Sequence, residues 1–203
     1  MIDLFVFDLG NVILPFNHLQ IVPKLRGHCA NGRFSEEEIF RYMFDFEKGL
    51  INRYEEGRMS SLEFFLVLRD RYGLELDFEQ FKEIWNNIFW DNQEVNEIIA
   101  YLKARGFTLL LLSNTNELHF CHILEQYPIV HLFDDWILSF EVGAKKPEQR
   151  IFQSIFEKAD VLPEKVFYID DVAEYIEAAR RMGIKGHVFK GADELWQALR
   201  EVI

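Results

Sequence analysis

The sequence predicts an α/β chain: a doubly wound parallel sheet with a block of helices inserted after its first strand. Three observations carry that expectation. From residue 91 onward, short apolar runs alternate with amphipathic helical stretches, the pattern of a parallel sheet covered by helices on both faces. Residues 16–90 break the rhythm and read as helices with no strand between them. The first apolar run, Leu4-Phe5-Val6-Phe7, lies ahead of that block, so the helices interrupt the sheet and do not precede it. The expected organisation is a Rossmann-like core over 1–15 and 91–203, with a helical cap over 16–90 lying on the strand ends.

Each element has its own reason. "LFVF" is short and rich in strand formers. In the insert, Ser35 with Glu38 and Ser60 with Glu63 form capping boxes that open "EEEIFRYMFDFEKG" and "LEFFLVLRDRYG". "FEQFKEIWNNIFW" is a further amphipathic stretch. Asp91 with Glu94 predicts another capping box, heading "EVNEIIAYLKARG", which stops at Gly106. Residues 107–112 form an apolar strand that closes on Ser113-Asn114. "NELHFCHILEQY" is helical and "DDWILSF" a strand. Pro147 suits the first helical position of "PEQRIFQSIFEKA". "KVFYIDD" is a strand, "AEYIEAARRMG" a helix ending at Gly183, "KGHVFK" a short strand and "DELWQALREVI" a last helix.

The 203 residues, 49% of them hydrophobic, suffice for one core with a small inserted domain. A formal net charge of -12 argues against nucleic-acid or anionic-membrane partners, because no basic surplus exists to neutralise phosphates over a large area. A small phosphate substrate needs only a local lysine and a metal ion. No uncharged apolar run approaches the roughly 20 residues of a membrane span, and the N-terminus lacks a basic start and a cleavage site. Cys29 and Cys121 give no disulfide framework. A soluble cytoplasmic location is the expectation.

In an open parallel sheet, ligands bind at the carboxyl ends of the strands. Four polar clusters lie at such ends: Asp8; Ser113-Asn114-Thr115-Asn116; Gly143-Ala144-Lys145-Lys146-Pro147; and Asp170-Asp171. Singly, each reads as a turn former, a helix cap or a solvated charge. Together they supply a nucleophilic carboxylate, hydroxyl and amide donors, a cation and an acidic pair. That set suits phosphoryl transfer, where catalysis is mostly positioning and charge stabilisation.

These clusters carry a resemblance. "FVFDLGNV", "LLLLSN", "VGAKKPEQRIF" and "VFYIDD" resemble, in order, the four motifs of the haloacid dehalogenase-like hydrolase superfamily, and the wording is most similar to the bacterial alpha-D-glucose-1-phosphate phosphatase branch. The resemblance spans essentially the whole chain, and the helical insert resembles that superfamily's cap. It implies that Asp8 attacks phosphorus to form an aspartyl-phosphate. It implies that Mg2+ is held by the Asp8 carboxylate, the Gly10 carbonyl and Asp171, with Asp170 acting through a bound water. Ser113, the Asn114 backbone amide and Lys146 are then expected to hold the phosphoryl oxygens. Lys146 is chosen over Lys145 because it directly precedes Pro147. The substrate is expected to be a small phosphorylated metabolite, with a sugar 1-phosphate favoured.

Two positions depart from the superfamily pattern. Where its phosphatases usually carry a second aspartate, two residues after the nucleophile, this chain has Gly10. The missing group is a general acid, typically a contribution of about 10²–10⁴-fold. Its loss favours leaving groups of low pKa, such as the anomeric oxygen of a sugar 1-phosphate. An aspartate at residue 10 is expected to fit, provided the backbone there is open to side chains. Tyr175 stands where relatives often have Asn, with Glu174 beside it as a polar substitute or with the ring facing the cap. His18 is a candidate replacement acid, His119 and His122 could meet a metal, and Glu55, Gly57 and Arg58 could form a specificity loop. Two alternatives stand beside the phosphatase: a metal-independent 2-haloacid dehalogenase using the same Asp8, and a catalytically inactive binding module.

Overall fold

The computed structural model describes residues 2–30 and 34–203. Its centre is a five-stranded sheet in the order β3-β2-β1-β4-β5, formed by β1 (Leu4–Phe7), β2 (Thr108–Ser113), β3 (Asp135–Leu138), β4 (Val166–Asp170) and β5 (Lys185–Val188). All four pairings are parallel. The chain runs outward from β1 through β2 and β3, then returns to the opposite side of β1 for β4 and β5. The order therefore reverses beside β1, and such a switch point opens a crevice at the carboxyl ends of the strands.

Strand periodicity divides the core. Phe5 and Phe7 point to one face, with Leu109, Leu111 and Ile169, and pack against α6 (Gln93–Ala104), α7 (Glu117–Gln126) and α11 (Ala192–Arg200). Leu4 and Val6 point to the other, with Leu110, Leu112 and Tyr168, against α9 (Gln149–Lys158) and α10 (Ala173–Arg180). The sheet is thus doubly wound and buried on both faces, which is why its strands read as continuous apolar runs.

The insert builds a second core. Helices α1 (Ile21–Gly27), α2 (Glu36–Phe44), α3 (Leu50–Glu55), α4 (Ser61–Tyr72) and α5 (Phe78–Asn86) enclose Tyr54, Phe64, Phe65, Phe81 and Trp85. The two segments that join it to the sheet domain run side by side. Asn17 donates its N–H to the Ile88 carbonyl at 3.1 Å, and Trp90 donates to the Pro15 carbonyl at 3.1 Å. The Ser35–Glu38 and Ser60–Glu63 capping boxes both form, and a third, Asp77–Gln80, opens α5.

Several local expectations are corrected. The N-cap of α6 is Asn92, not Asp91, and no side-chain cap bond forms there. The Asn92 amide instead donates to the Val12 carbonyl at 3.1 Å, tying the helix to the loop after β1. β2 covers Thr108–Ser113, one residue later than expected. β3 ends at Leu138, and Ser139 begins the one-turn helix α8 (Ser139–Val142). Pro147 does not start a helix: the Lys146–Pro147 peptide is cis, and α9 begins at Gln149 behind Glu148. No helix among the described residues is long and apolar enough to cross a membrane.

Candidate active site

β1 and β4 deliver their ends to one point. Phe7 pairs with Ile169, and the Asp8 N–H donates to the Ile169 carbonyl at 2.8 Å. This places Asp8 beside Asp170 and Asp171, and one carboxylate oxygen from each lies within 4.8 Å of the other two. Among the described residues, this is the group of acidic, histidine or cysteine side chains gathered closely enough to share a metal ion.

Lys146 arrives from the β3–α9 connection and is only 3% exposed. Its ammonium donates to Asp8 Oδ1 at 2.6 Å, Asp170 Oδ2 at 2.7 Å and the Leu112 carbonyl at 3.3 Å. Asn114 fixes this loop in register: its Oδ1 accepts from the Lys146 N–H at 2.8 Å, and its Nδ2 donates to the Lys146 carbonyl at 3.1 Å. A second tie joins Thr115 and Ser139. The Thr115 N–H donates to Ser139 Oγ at 3.0 Å, and that hydroxyl donates to the Thr115 carbonyl at 3.0 Å.

The two neighbouring aspartates differ in their surroundings. Asp170 is fully buried, and both its oxygens are engaged. Oδ1 accepts from the Val172 N–H at 2.8 Å, while Oδ2 accepts from Lys146 and from the Tyr168 hydroxyl. Asp171 is half-buried on the cleft wall and accepts a single bond, from Asn11 Nδ2 at 3.3 Å. Asn11 sits in the left-handed region at φ 56, a conformation asparagine tolerates better than most side chains. The loop after β1 therefore turns sharply at Asn11, just beyond Asp8.

Charge at this point does not balance: three carboxylates face one ammonium. Burial raises the Asp8 pKa; Lys146 opposes the rise, and Asp170 and Asp171 add to it. Burial and then Asp170 raise Asp171. Burial alone would lower Lys146, but the two carboxylates beside it outweigh that and hold it above its ordinary value, so it stays charged. A site of hard oxygens with surplus negative charge fits a divalent cation of the magnesium type.

The cleft above these groups has a volume of about 500 Å³. Core residues Asp8, Gly10, Lys146 and Tyr175 line its floor, and Phe44, Asn52 and Glu55 line it from the cap. Ser113 and Asn114 open onto an adjoining recess shared with Gly10, Phe16 and His18. Asp8, Gly10, Ser113, Asn114, Lys146, Asp170 and Asp171 are thus brought to the same edge of the sheet, whereas His122 lies apart beside Glu79, Lys82 and Glu83.

Other features resolve individually. Tyr175 lies over Lys146, its ring centroid 5.2 Å from the ammonium, whereas Glu174 is exposed. His18 is wedged between Phe16 and Phe44, at centroid distances of 4.8 and 4.6 Å. Burial lowers its pKa to about 4, so it is neutral at physiological pH and is not the imidazolium that a replacement acid requires. His119 holds no metal: Nδ1 bonds the Asn116 amide at 3.0 Å and Nε2 the Trp85 carbonyl at 3.1 Å. Lys145 is no bystander. It crosses to the cap, donating to Glu55 Oε2 and Asn52 Oδ1, both at 2.7 Å. Gly57, at φ 67, lets the turn after α3 press on the Phe140 carbonyl, which an added Cβ would approach to 2.1 Å. Arg58 pairs with Glu56 at 3.0 Å.

Sequence reasoning missed Tyr168 and Phe16. Tyr168 carried a faint signal, a hydroxyl two residues before Asp170 in an otherwise apolar strand; Phe16 carried none.

A parallel sheet with a carboxylate cluster and a lysine at its switch point, roofed by an inserted helical domain, defines a capped hydrolase of the doubly wound class. The chain belongs to the haloacid dehalogenase-like hydrolase family, whose profile matches residues 2–183. It is similar to a D-ribitol-5-phosphate phosphatase of Bacteroides thetaiotaomicron, at 28% identity over 91% of this chain and 90% of that protein. It is also similar to a phosphorylated carbohydrates phosphatase of Thermotoga maritima, at 26% identity over 53% of this chain and 50% of that one. Among solved structures, a family enzyme from Bacteroides thetaiotaomicron in complex with magnesium and inorganic phosphate superposes with a TM-score of 0.83. The two share 25% identity, over 98% of this chain and 99% of that one.

Proposed function

We propose that this hydrolase is a magnesium-dependent phosphatase of small phosphorylated metabolites, working through Asp8, with a sugar 1-phosphate as its favoured substrate. The observation that carries the proposal is the convergence of Asp8, Asp170 and Asp171 around the buried ammonium of Lys146. The named activities of the two phosphatase relatives support the phosphatase part of this reading and not the sugar 1-phosphate preference, since D-ribitol 5-phosphate is a primary alkyl ester. The magnesium and phosphate complex of the structural neighbour supports the metal.

In this reading an Asp8 carboxylate oxygen attacks phosphorus, and the bond to the leaving oxygen breaks with its electron pair. Water then attacks the same phosphorus, releasing inorganic phosphate and restoring the carboxylate. Lys146, the Ser113 hydroxyl and the Asn114 backbone amide hold the non-bridging oxygens as charge builds on them. Asp8, the Gly10 carbonyl and Asp171 would hold the metal ion. Asp170, saturated by protein donors, would act behind them, through a bound water. When bound, magnesium supplies the positive charge that offsets repulsion between the anionic nucleophile and the anionic substrate. The cluster argues against a metal-independent haloacid dehalogenase, because Asp170 and Asp171 would repel a carboxylate substrate. The sugar 1-phosphate preference rests on Gly10, which offers no side chain to protonate a poor leaving group.

A phosphate-release screen over phosphorylated metabolites and one 2-haloacid, with and without magnesium, tests the proposal. Release is expected from phosphomonoesters, sugar 1-phosphates foremost, and only with the metal. Halide release without metal would replace the reading with the dehalogenase, and no release from any compound by folded protein would replace it with the inactive module.

A further inference from the structure

The place of the missing acid is not vacant. A Cβ built on Gly10 would stand 2.6 Å from Phe16 Cε1 and 3.3 Å from Phe16 Cδ1, so the ring edge points straight at the glycine. The residue 10 backbone is not in the left-handed region, so this ring, not strain, is what excludes a side chain. The backbone that carries the ring is held, so only rotation of the side chain would clear the position. The residues flanking Phe16 are pinned on both sides, by Pro15 accepting from Trp90 and Asn17 donating to Ile88. His18 and Phe89 close it in at centroid distances of 4.8 and 6.0 Å. Phe16 and Gly10 both line the cleft that holds Asp8 and Lys146. The backbone at residue 10 is open to a side chain, as expected, but an aspartate there meets Phe16 and requires that ring to move.

We propose that Phe16 is a specificity-determining residue: it fills the general-acid position with an apolar wall and confines the enzyme to phosphates whose leaving group departs unprotonated. This rests on the phosphatase reading above. As Asp8 bonds to phosphorus, the breaking P–O bond leaves its electron pair on the departing oxygen, and bulk water supplies a proton only afterwards. Esters of acidic hydroxyls, whether anomeric, enolic or phenolic, can leave in this way, and simple alkyl esters cannot do so at a comparable rate. His18, which packs against the ring at a centroid distance of 4.8 Å, is neutral for the reason already given and does not supply the proton.

The test is a plot of kcat/KM against leaving-group pKa for a series of aryl and alkyl phosphates, with magnesium, for the wild type, Gly10→Asp, and Gly10→Asp combined with Phe16→Ala. The wild type should fall steeply along the series, by about 10²-fold or more between nitrophenyl and alkyl esters, as loss of a general acid predicts. Gly10→Asp alone should gain nothing on alkyl esters. The double variant should gain about tenfold or more on them, with rates that fall at high pH as the new acid deprotonates. A flat wild-type series would overturn the proposal by showing that a donor is already present, and this arm needs no variant to fold. An alkyl gain in Gly10→Asp equal to that of the double variant would overturn it by showing that Phe16 blocks nothing. Both results leave the phosphatase reading standing, because the aryl esters are still cleaved. Only loss of all magnesium-dependent turnover, nitrophenyl phosphate included, removes reading and inference together.

Discussion

Asp170 and Asp171 are adjacent in sequence yet should respond to the same substitution in opposite ways. Asp171→Asn removes a half-buried charge with one weak hydrogen bond, so thermal stability should barely change while the magnesium concentration for half-maximal turnover rises. Asp170→Asn leaves Lys146 with one carboxylate in place of two and disturbs the Tyr168 contact. It should cost stability on the scale of a damaged buried ion pair, about 3 kcal/mol. Paired melting curves and magnesium titrations check both, and equal effects on metal affinity would undo the assignment of Asp171 as the direct ligand. Lys146→Ala should lower turnover by more than about 10²-fold, since it removes charge facing the transferring group.

At the scale of elements, the cap is held down by two devices on one side of the cleft. The first is the Lys145–Glu55 ion pair, with both side chains largely shielded from water. Lys145→Ala and Glu55→Gln should each raise KM more than they lower kcat. A double-mutant cycle should give a coupling of about 1 kcal/mol, and strictly additive effects would show that the contact does not secure the cap. The second device is Gly57. Gly57→Ala forces a side chain into a left-handed conformation, itself about 1–2 kcal/mol, and drives its Cβ into the Phe140 carbonyl. Weakened substrate binding together with a stability loss of at least about 1–2 kcal/mol is expected, measured as KM and melting temperature. The cap's presence was legible from capping boxes and unbroken helical spacing, because local chemistry decides both. Its contacts with the core were not, because Lys145, Glu55 and Phe140 are distant in sequence and meet only through the crossover after β3. For the same reason Phe16, an ordinary aromatic in sequence, could not be seen to cover Gly10.

For the whole molecule, strand-helix alternation and the four polar strand ends were enough to foresee a parallel sheet with one site, since strand order and crevice follow from packing rules. What alternation could not convey was the buried ring stack between cap and core, where His119 lies 4.9 Å from Trp85. Burial holds the His119 pKa well below 6.5, with the nearby His18 as a secondary cause. The unfolded chain therefore binds a proton below about pH 6.5 that the folded chain does not, so stability falls as pH drops through that value. The slope contributed by His119 should approach about 1.4 kcal/mol per pH unit. Urea unfolding at pH 7 and pH 5 should show a smaller loss for His119→Gln than for the wild type, the difference being the share of His119. His18 adds a loss of the same sign, and the raised Asp8 carboxyl opposes it.

The central claim is that Asp8 becomes covalently phosphorylated during turnover. Acid-quenching the enzyme as it hydrolyses an aryl phosphate with magnesium, followed by peptide mass mapping, tests this most directly. The account predicts that the peptide carrying Asp8 gains the mass of one phosphoryl group, and that Asp8→Asn shows neither the adduct nor turnover. Full turnover by Asp8→Asn, or a phosphoryl group found on another residue, would contradict it.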